Sequence, residues 1–144
     1  MKIKFANRIE PEALNNLYSK DLLPGFFGIS FTEVGEDYIR ATMEVEDRHL
    51  RPGGIANGGV YLTLLETLGS MSACCVVDME KFNALGVQVS ANHTGMAMKG
   101  DKTTATSKAI HIGRSTHIWE VNIENADGRL LSSGRITMMI VPRK

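Results

Sequence analysis

Glu66 is the only charged residue in the longest apolar run of the chain, Val60 to Val77. An ionised carboxylate buried without a partner costs several kcal/mol, so a carboxylate in such a run is either paired or put to use. Thr63, Glu66 and Ser70 recur at i, i+3 and i+7, which lines them up as one thin polar stripe on an otherwise apolar helix. Asn57, a preferred N-cap type, precedes Gly58 and Gly59, and these glycines leave the first backbone N–H groups of that helix open to close approach. Open N–H groups at a helix N-terminus suit a developing oxyanion, and a carboxylate two turns further on suits a nucleophile or general base. On the residue pattern alone, Glu66 could equally face solvent or form a core ion pair with Arg51 or His93.

The run approaches the length of a membrane span. Its central Glu, its hydroxyls and the lack of flanking basic clusters predict instead a helix buried in protein, with no membrane partner. At 144 residues the chain is most simply a single domain, 1–144, with a helical segment over 1–24. Acidic and basic residues balance at 16 each, so no net field attracts nucleic acid or an anionic surface. Met1 to Phe5 lacks the apolar stretch of a secretory signal. Cys74 and Cys75, adjacent on the apolar helix, make neither a disulfide framework nor a zinc spacing, and the expected location is a reducing cytoplasm. His49, His93, His111 and His117 are too scattered for a metal motif, so no metal is expected.

These groups need elements to hold them. Glu10-Pro11-Glu12 predicts a short helix to about Lys20, with Leu14, Leu17 and Tyr18 on one face, then a loop over Asp21 to Gly28 in which Phe26 and Phe27 plug the core or border an apolar pocket. Alternation predicts two strands about a turn at Gly35, and after the long helix a strand with Leu85, Val87, Val89, Ala91 and His93 on one face. Lys99-Gly100-Asp101 turns into a strand of about Lys102 to Ile112. Trp119, Val121 and Ile123 mark the next strand, and Asp127-Gly128 a hairpin before the last, Leu130 to Val141. The result is an α+β domain in which a four-strand antiparallel meander follows the helix. A helix that is apolar nearly all round needs more cover than one sheet gives, so at least a dimer is expected.

This order of elements, with Arg51-Pro52-Gly53-Gly54-Ile55-Ala56-Asn57-Gly58-Gly59-Val60 leading into Leu65-Glu66-Thr67-Leu68-Gly69-Ser70, resembles the hotdog-fold acyl-CoA thioesterases. The branch is the one containing phenylacetyl-CoA, Arthrobacter-type 4-hydroxybenzoyl-CoA and 1,4-dihydroxy-2-naphthoyl-CoA thioesterases. Gly86-Val87-Gln88-Val89-Ser90-Ala91-Asn92-His93 and Ile110-His111-Ile112-Gly113-Arg114-Ser115-Thr116 extend the resemblance, which covers about residue 25 to the C-terminus.

The resemblance implies an antiparallel sheet wrapped around a long central helix, and hydrolysis of an aryl- or acyl-CoA to free acid and coenzyme A. It implies Glu66 as nucleophile or general base, the Gly58 N–H as oxyanion donor, and Ser70 orienting the carboxylate or water. It further implies a substrate surface including Arg51, Gly59 and His93, a nucleotide site at Arg114, Ser115 and Thr116, and no cofactor beyond the coenzyme A of the substrate. The implied assembly is a homo-oligomer, a dimer or a dimer of dimers (homotetramer), with each active site drawing on both chains. Two positions depart from the branch: Asn57 stands where His is usual, and Arg51 where Gln or Asn is common. An amide donates and accepts but carries no proton at neutral pH, which weakens a hydratase or dehydratase reading. A non-catalytic acyl-CoA binding module is the alternative from another class.

Overall fold

The computed structural model describes Phe5 and residues 9–144, so the leader reading of Met1 to Lys4, like the first part of the helical segment over 1–24, lies outside the described residues. Pro11 fixes the first turn of α1 (Pro11–Asn16), which buries Leu14. The helix stops short of Lys20, and a second short helix, α2 (Leu23–Phe26), packs closely on the segment that follows it: a Cβ on Gly25 would collide with the Ser19 carbonyl. The expected loop therefore contains a helical turn, and Leu17 is left exposed.

The strands β1 (Ser30–Val34) and β2 (Tyr38–Glu44) form the expected hairpin, closed by Gly35 N–H donating to Tyr38 O at 2.8 Å. A 3-10 turn at Asp47–His49 then leads to α3 (Gly58–Val76), followed by β3 (Phe82–His93), β4 (Lys102–Ile112), β5 (Thr116–Glu124) and β6 (Leu130–Pro142). Trp119, Val121 and Ile123 are fully buried, as the alternation of β5 requires.

All six strands make one antiparallel sheet in the order β1-β2-β4-β5-β6-β3. This order corrects the expected four-strand meander: only β4, β5 and β6 run consecutively, while β3 pairs with β6 at the far edge and β2 pairs with β4. The connection after β3 explains the crossover. Ala97 is buried and its carbonyl accepts from Ala56 N–H at 2.9 Å, and Met98 bridges to Ile55, which ties the connection to the segment leading into α3.

The single face expected for β3 is also corrected. The β3–β6 register shifts between Gly86 and Gln88, and an extra residue in one strand reverses the parity beyond it. Val89 and Ala91 lie opposite Ile136 and Gly134, two buried residues, whereas Leu85 pairs with Met139 and both Leu85 and Val87 are exposed, at 50% and 53%.

The sheet wraps α3 in a hotdog arrangement. By length and composition α3 could cross a membrane, yet 61% of its apolar window is buried inside the protein. Gly69 lets the helix close on β6, since a Cβ there would collide with Ile136 Cγ2. Buried Ser72 donates to Leu68 O at 2.8 Å and meets Ser107 of β4 at 2.9 Å, so both hydroxyls are satisfied in the core. One line of α3 is less covered: Leu62, Glu66, Ser70 and Cys74, four residues apart, are half-buried. Beside it runs β3, whose outer edge has no neighbouring strand among the described residues.

Candidate active site

Asn57 caps α3 with extended backbone angles, φ −65° and ψ 137°, and its Oδ1 accepts from Gly59 N–H at 2.8 Å. The Gly58 N–H has no acceptor among the described residues. Gly58 also lies against the His93 ring: a Cβ there would sit 2.9 Å from the ring's Cδ2 and Nε2. Asn57 N–H donates to His49 O at 2.8 Å, and the buried His49 ring fixes that anchor. Its Nδ1 accepts from Glu46 N–H at 2.9 Å, so Nε2 carries the proton and donates to Phe27 O, also at 2.9 Å. Burial holds the His49 pKa below the ordinary histidine range, which favours this neutral form.

Glu66 lies further along the helix, half-buried beside β3. A Cβ on Gly86 would collide with its Oε1, so the strand makes room for the carboxylate by carrying a glycine at that point. Ser70 Oγ is 3.5 Å from Oε1, the long limit of a hydrogen bond, and 3.8 Å from Met138 Sδ. Thr63 leaves the polar stripe by donating to Gly59 O at 3.0 Å. No ion pair joins Glu66 to Arg51 or His93 among the described residues: Arg51 Nη1 donates to Pro52 O at 2.7 Å, and His93 Nδ1 meets Ser132 Oγ at 2.9 Å.

A cleft of about 340 Å³ opens beside the start of α3, and Arg51, Gly58, Tyr61, His93, Met96 and Arg129 are among the residues lining it. Sequence reasoning missed Tyr61 and Arg129. Tyr61 had one visible signal, a polar tip within the apolar run, while Arg129 follows a hairpin turn and carries none. Arg114, Ser115 and Thr116 form the β4–β5 turn, where Gly113 N–H donates to Thr116 O at 2.8 Å and Ser115 O accepts from Ile140 N–H at 2.9 Å. They lie near Leu85, through the Thr116–Met139 and Leu85–Met139 pairings, roughly 26 Å of strand from His93. The cleft and this turn are therefore not brought together within one chain.

A second cavity, about 740 Å³, lies between α1 and the end of α3, lined by Leu17, Met71, Cys74, Met79 and the acidic Asp78 and Glu80 among others. Burial pushes the Cys75 thiol up to about 12 and raises Cys74 in the same direction, so neither offers a thiolate at neutral pH. Glu66 is the one carboxylate between Gly58 and Val76 of this helix, and it is half-buried.

A family model described as the Thioesterase superfamily matches residues 53–132. The 1,4-dihydroxy-2-naphthoyl-CoA hydrolase of Escherichia coli is 32% identical over 134 residues, 93% of this chain and 96% of that protein. A crystal structure of a thioesterase from Pseudomonas aeruginosa superposes with a TM-score of 0.92 at 32% identity, over 96% of this chain and 99% of that one. A thioesterase of Staphylococcus aureus gives a TM-score of 0.79 at 34% identity, over 83% of this chain and 98% of that one. It was solved with a glutamine replaced by alanine and, separately, with a glutamate fifteen positions later replaced by alanine.

Proposed function

Since the chain belongs to the thioesterase superfamily and is a thioester hydrolase, we propose that it cleaves an aryl- or acyl-CoA with Glu66 as nucleophile or general base and the Gly58 N–H as oxyanion donor. The observation that carries the reading is the half-buried carboxylate of Glu66 accommodated by Gly86, with Ser70 beside it and no salt-bridge partner among the described residues. A structural ion pair would have occupied those oxygens. Arg51 and Glu66 are fifteen positions apart, the spacing between the glutamine and glutamate replaced in the Staphylococcus relative, which supports Arg51 as the residue in the glutamine's place.

Gly58 and Glu66 cannot serve one carbonyl from the same chain. Eight residues of helix put them about 12 Å apart. The proposed site is therefore composite: two copies join along the open edge of β3, and Glu66 of one acts on a carbonyl held at the Gly58 N–H of the other. Glu66 attacks that carbonyl, or takes a proton from the attacking water; the oxyanion accepts from Gly58 N–H, and its collapse expels the thiolate of coenzyme A. The water route leaves the free acid; the first route leaves an acyl–Glu66 anhydride that water then opens to the acid and the free carboxylate. Arg51, Gly59 and His93 border the thioester in this reading, and Arg114, Ser115 and Thr116 offer the nucleotide a surface turn.

Thiol release from a panel of acyl-CoA thioesters tests it. Glu66→Gln, folded as judged by its unfolding transition, should lose about a thousandfold or more in kcat. Retained turnover in that variant would remove Glu66 from the chemistry.

A further inference from the structure

We infer that the cleft beside Gly58 selects thioesters whose acyl group ends in a second carboxylate. The inference rests on the thioesterase reading and adds its substrate class. Arg51, Arg129, Tyr61 and His93 line the cleft and no carboxylate of the same chain does; in the composite site one carboxylate, Glu66 of the other copy, stands against two guanidiniums. Neither arginine takes part in an ion pair among the described residues, and Arg51 spends one N–H on the Pro52 carbonyl. The Tyr61 hydroxyl is buried against the Ala97 backbone, the residue being only 2% exposed, so Tyr61 contributes its ring to the cleft wall. His93 uses Nδ1 on Ser132, and its Nε2 lies on the side facing Gly58.

The lining is thus rich in donors and positive. Two guanidiniums in a concave site concentrate positive potential. A ligand carboxylate answers it, because guanidinium presents parallel N–H groups to its two oxygens. A neutral acyl chain would not. The turn after Asp127-Gly128 holds the Arg129 backbone in place, with its N–H donating to Asn125 Oδ1 at 2.9 Å.

An anion could also come from coenzyme A itself. The carbonyl held at Gly58 is the fixed point, and a short acyl chain keeps its far carboxylate in the same cleft. The pantetheine arm, by contrast, carries the phosphates well away from the sulfur. The acyl group is therefore the source of the anion.

Glutaryl-CoA and pentanoyl-CoA share a chain length and differ in the terminal carboxylate. The native enzyme should favour glutaryl-CoA by about tenfold or more in kcat/KM, mostly through KM, and Arg129→Gln and Arg51→Gln should each erase most of that ratio. Calorimetry with both thioesters and with coenzyme A alone, on Glu66→Gln and on its combination with either arginine variant, reads the same preference without turnover. If pentanoyl-CoA is handled as well as glutaryl-CoA, the carboxylate inference falls while the thioesterase reading stands. A binding preference for glutaryl-CoA with no hydrolysis of either thioester supports the anion site and overturns the catalytic reading instead. Should Arg129→Gln weaken coenzyme A alone as much as glutaryl-CoA, the cleft belongs to the coenzyme's phosphates and the inference is overturned.

Discussion

Gly86 does for Glu66 what no side chain at that position could: it leaves the space that the carboxylate fills. Gly86→Ala should therefore lower kcat by about a hundredfold, since a displacement of about 1 Å at the reacting group is worth that much. The same change should leave folding stability within about 1 kcal/mol of native, because alanine removes backbone freedom from the unfolded chain at a strand position. Denaturant unfolding beside steady-state kinetics checks both, and a parallel loss of stability and turnover would mean that Gly86 serves packing alone. The carboxylate could be read from the sequence because one charge in an apolar run violates the burial rule that otherwise fits the whole helix. Its supporting glycine could not, because Gly86 lies on another element and its role exists only once β3 is in register beside α3. Tyr61 and Arg129 escaped for a similar reason: the cleft they share is made by tertiary approach, which no local pattern records.

At the scale of elements, the segment between β2 and α3 hangs on a neutral histidine. His49 joins Glu46 and Phe27 through its ring and holds Asn57 through its carbonyl. Burial lowers the pKa of His49, and of buried His117, below the ordinary range, so the unfolded chain binds these protons more readily than the folded one. Their contribution to stability is complete above about pH 6.5 and is lost as the pH falls below that value. Urea midpoints should drop between roughly pH 7 and 5, and His49→Gln should flatten part of that slope; a native midpoint constant across the window would contradict it. Most elements themselves were legible. Alternation located β5 to within its buried Trp119, Val121 and Ile123, and the Asn57 cap located the start of α3. Pairing order was not legible, because periodicity tells which face of β3 is apolar but not which strand it will lie beside. Even the face failed at Gly86/Gln88, where one added residue inverts the count.

For the molecule as a whole, the proposed division of labour between Gly58 and Glu66 predicts that catalysis is a property of a pair of chains. Gly58→Pro tests this, since proline suits the first helical position, the extended Asn57 tolerates it, and the substitution removes the N–H itself. The His93 ring has to shift away from the added Cβ, so Gly58→Ala, which adds the Cβ and keeps the N–H, is the control. Each parent, Gly58→Pro or Glu66→Gln, should be nearly inactive. Subunits of the two mixed and reassembled at random should recover about a quarter of native turnover, because half the dimers are mixed and each mixed dimer keeps one intact site. No recovery would mean that each chain holds a complete site of its own. The sheet order carries a last consequence, one of timing. β6 follows every other strand in the chain, yet it lies inside the sheet, between β5 and β3, and brings Ile136 against Gly69. On the ribosome β3 emerges well before the strand it needs, so until Pro142 has cleared the exit tunnel β3 is an unpaired strand along both of its sides, and the growing chain has to be kept from pairing it with a neighbour.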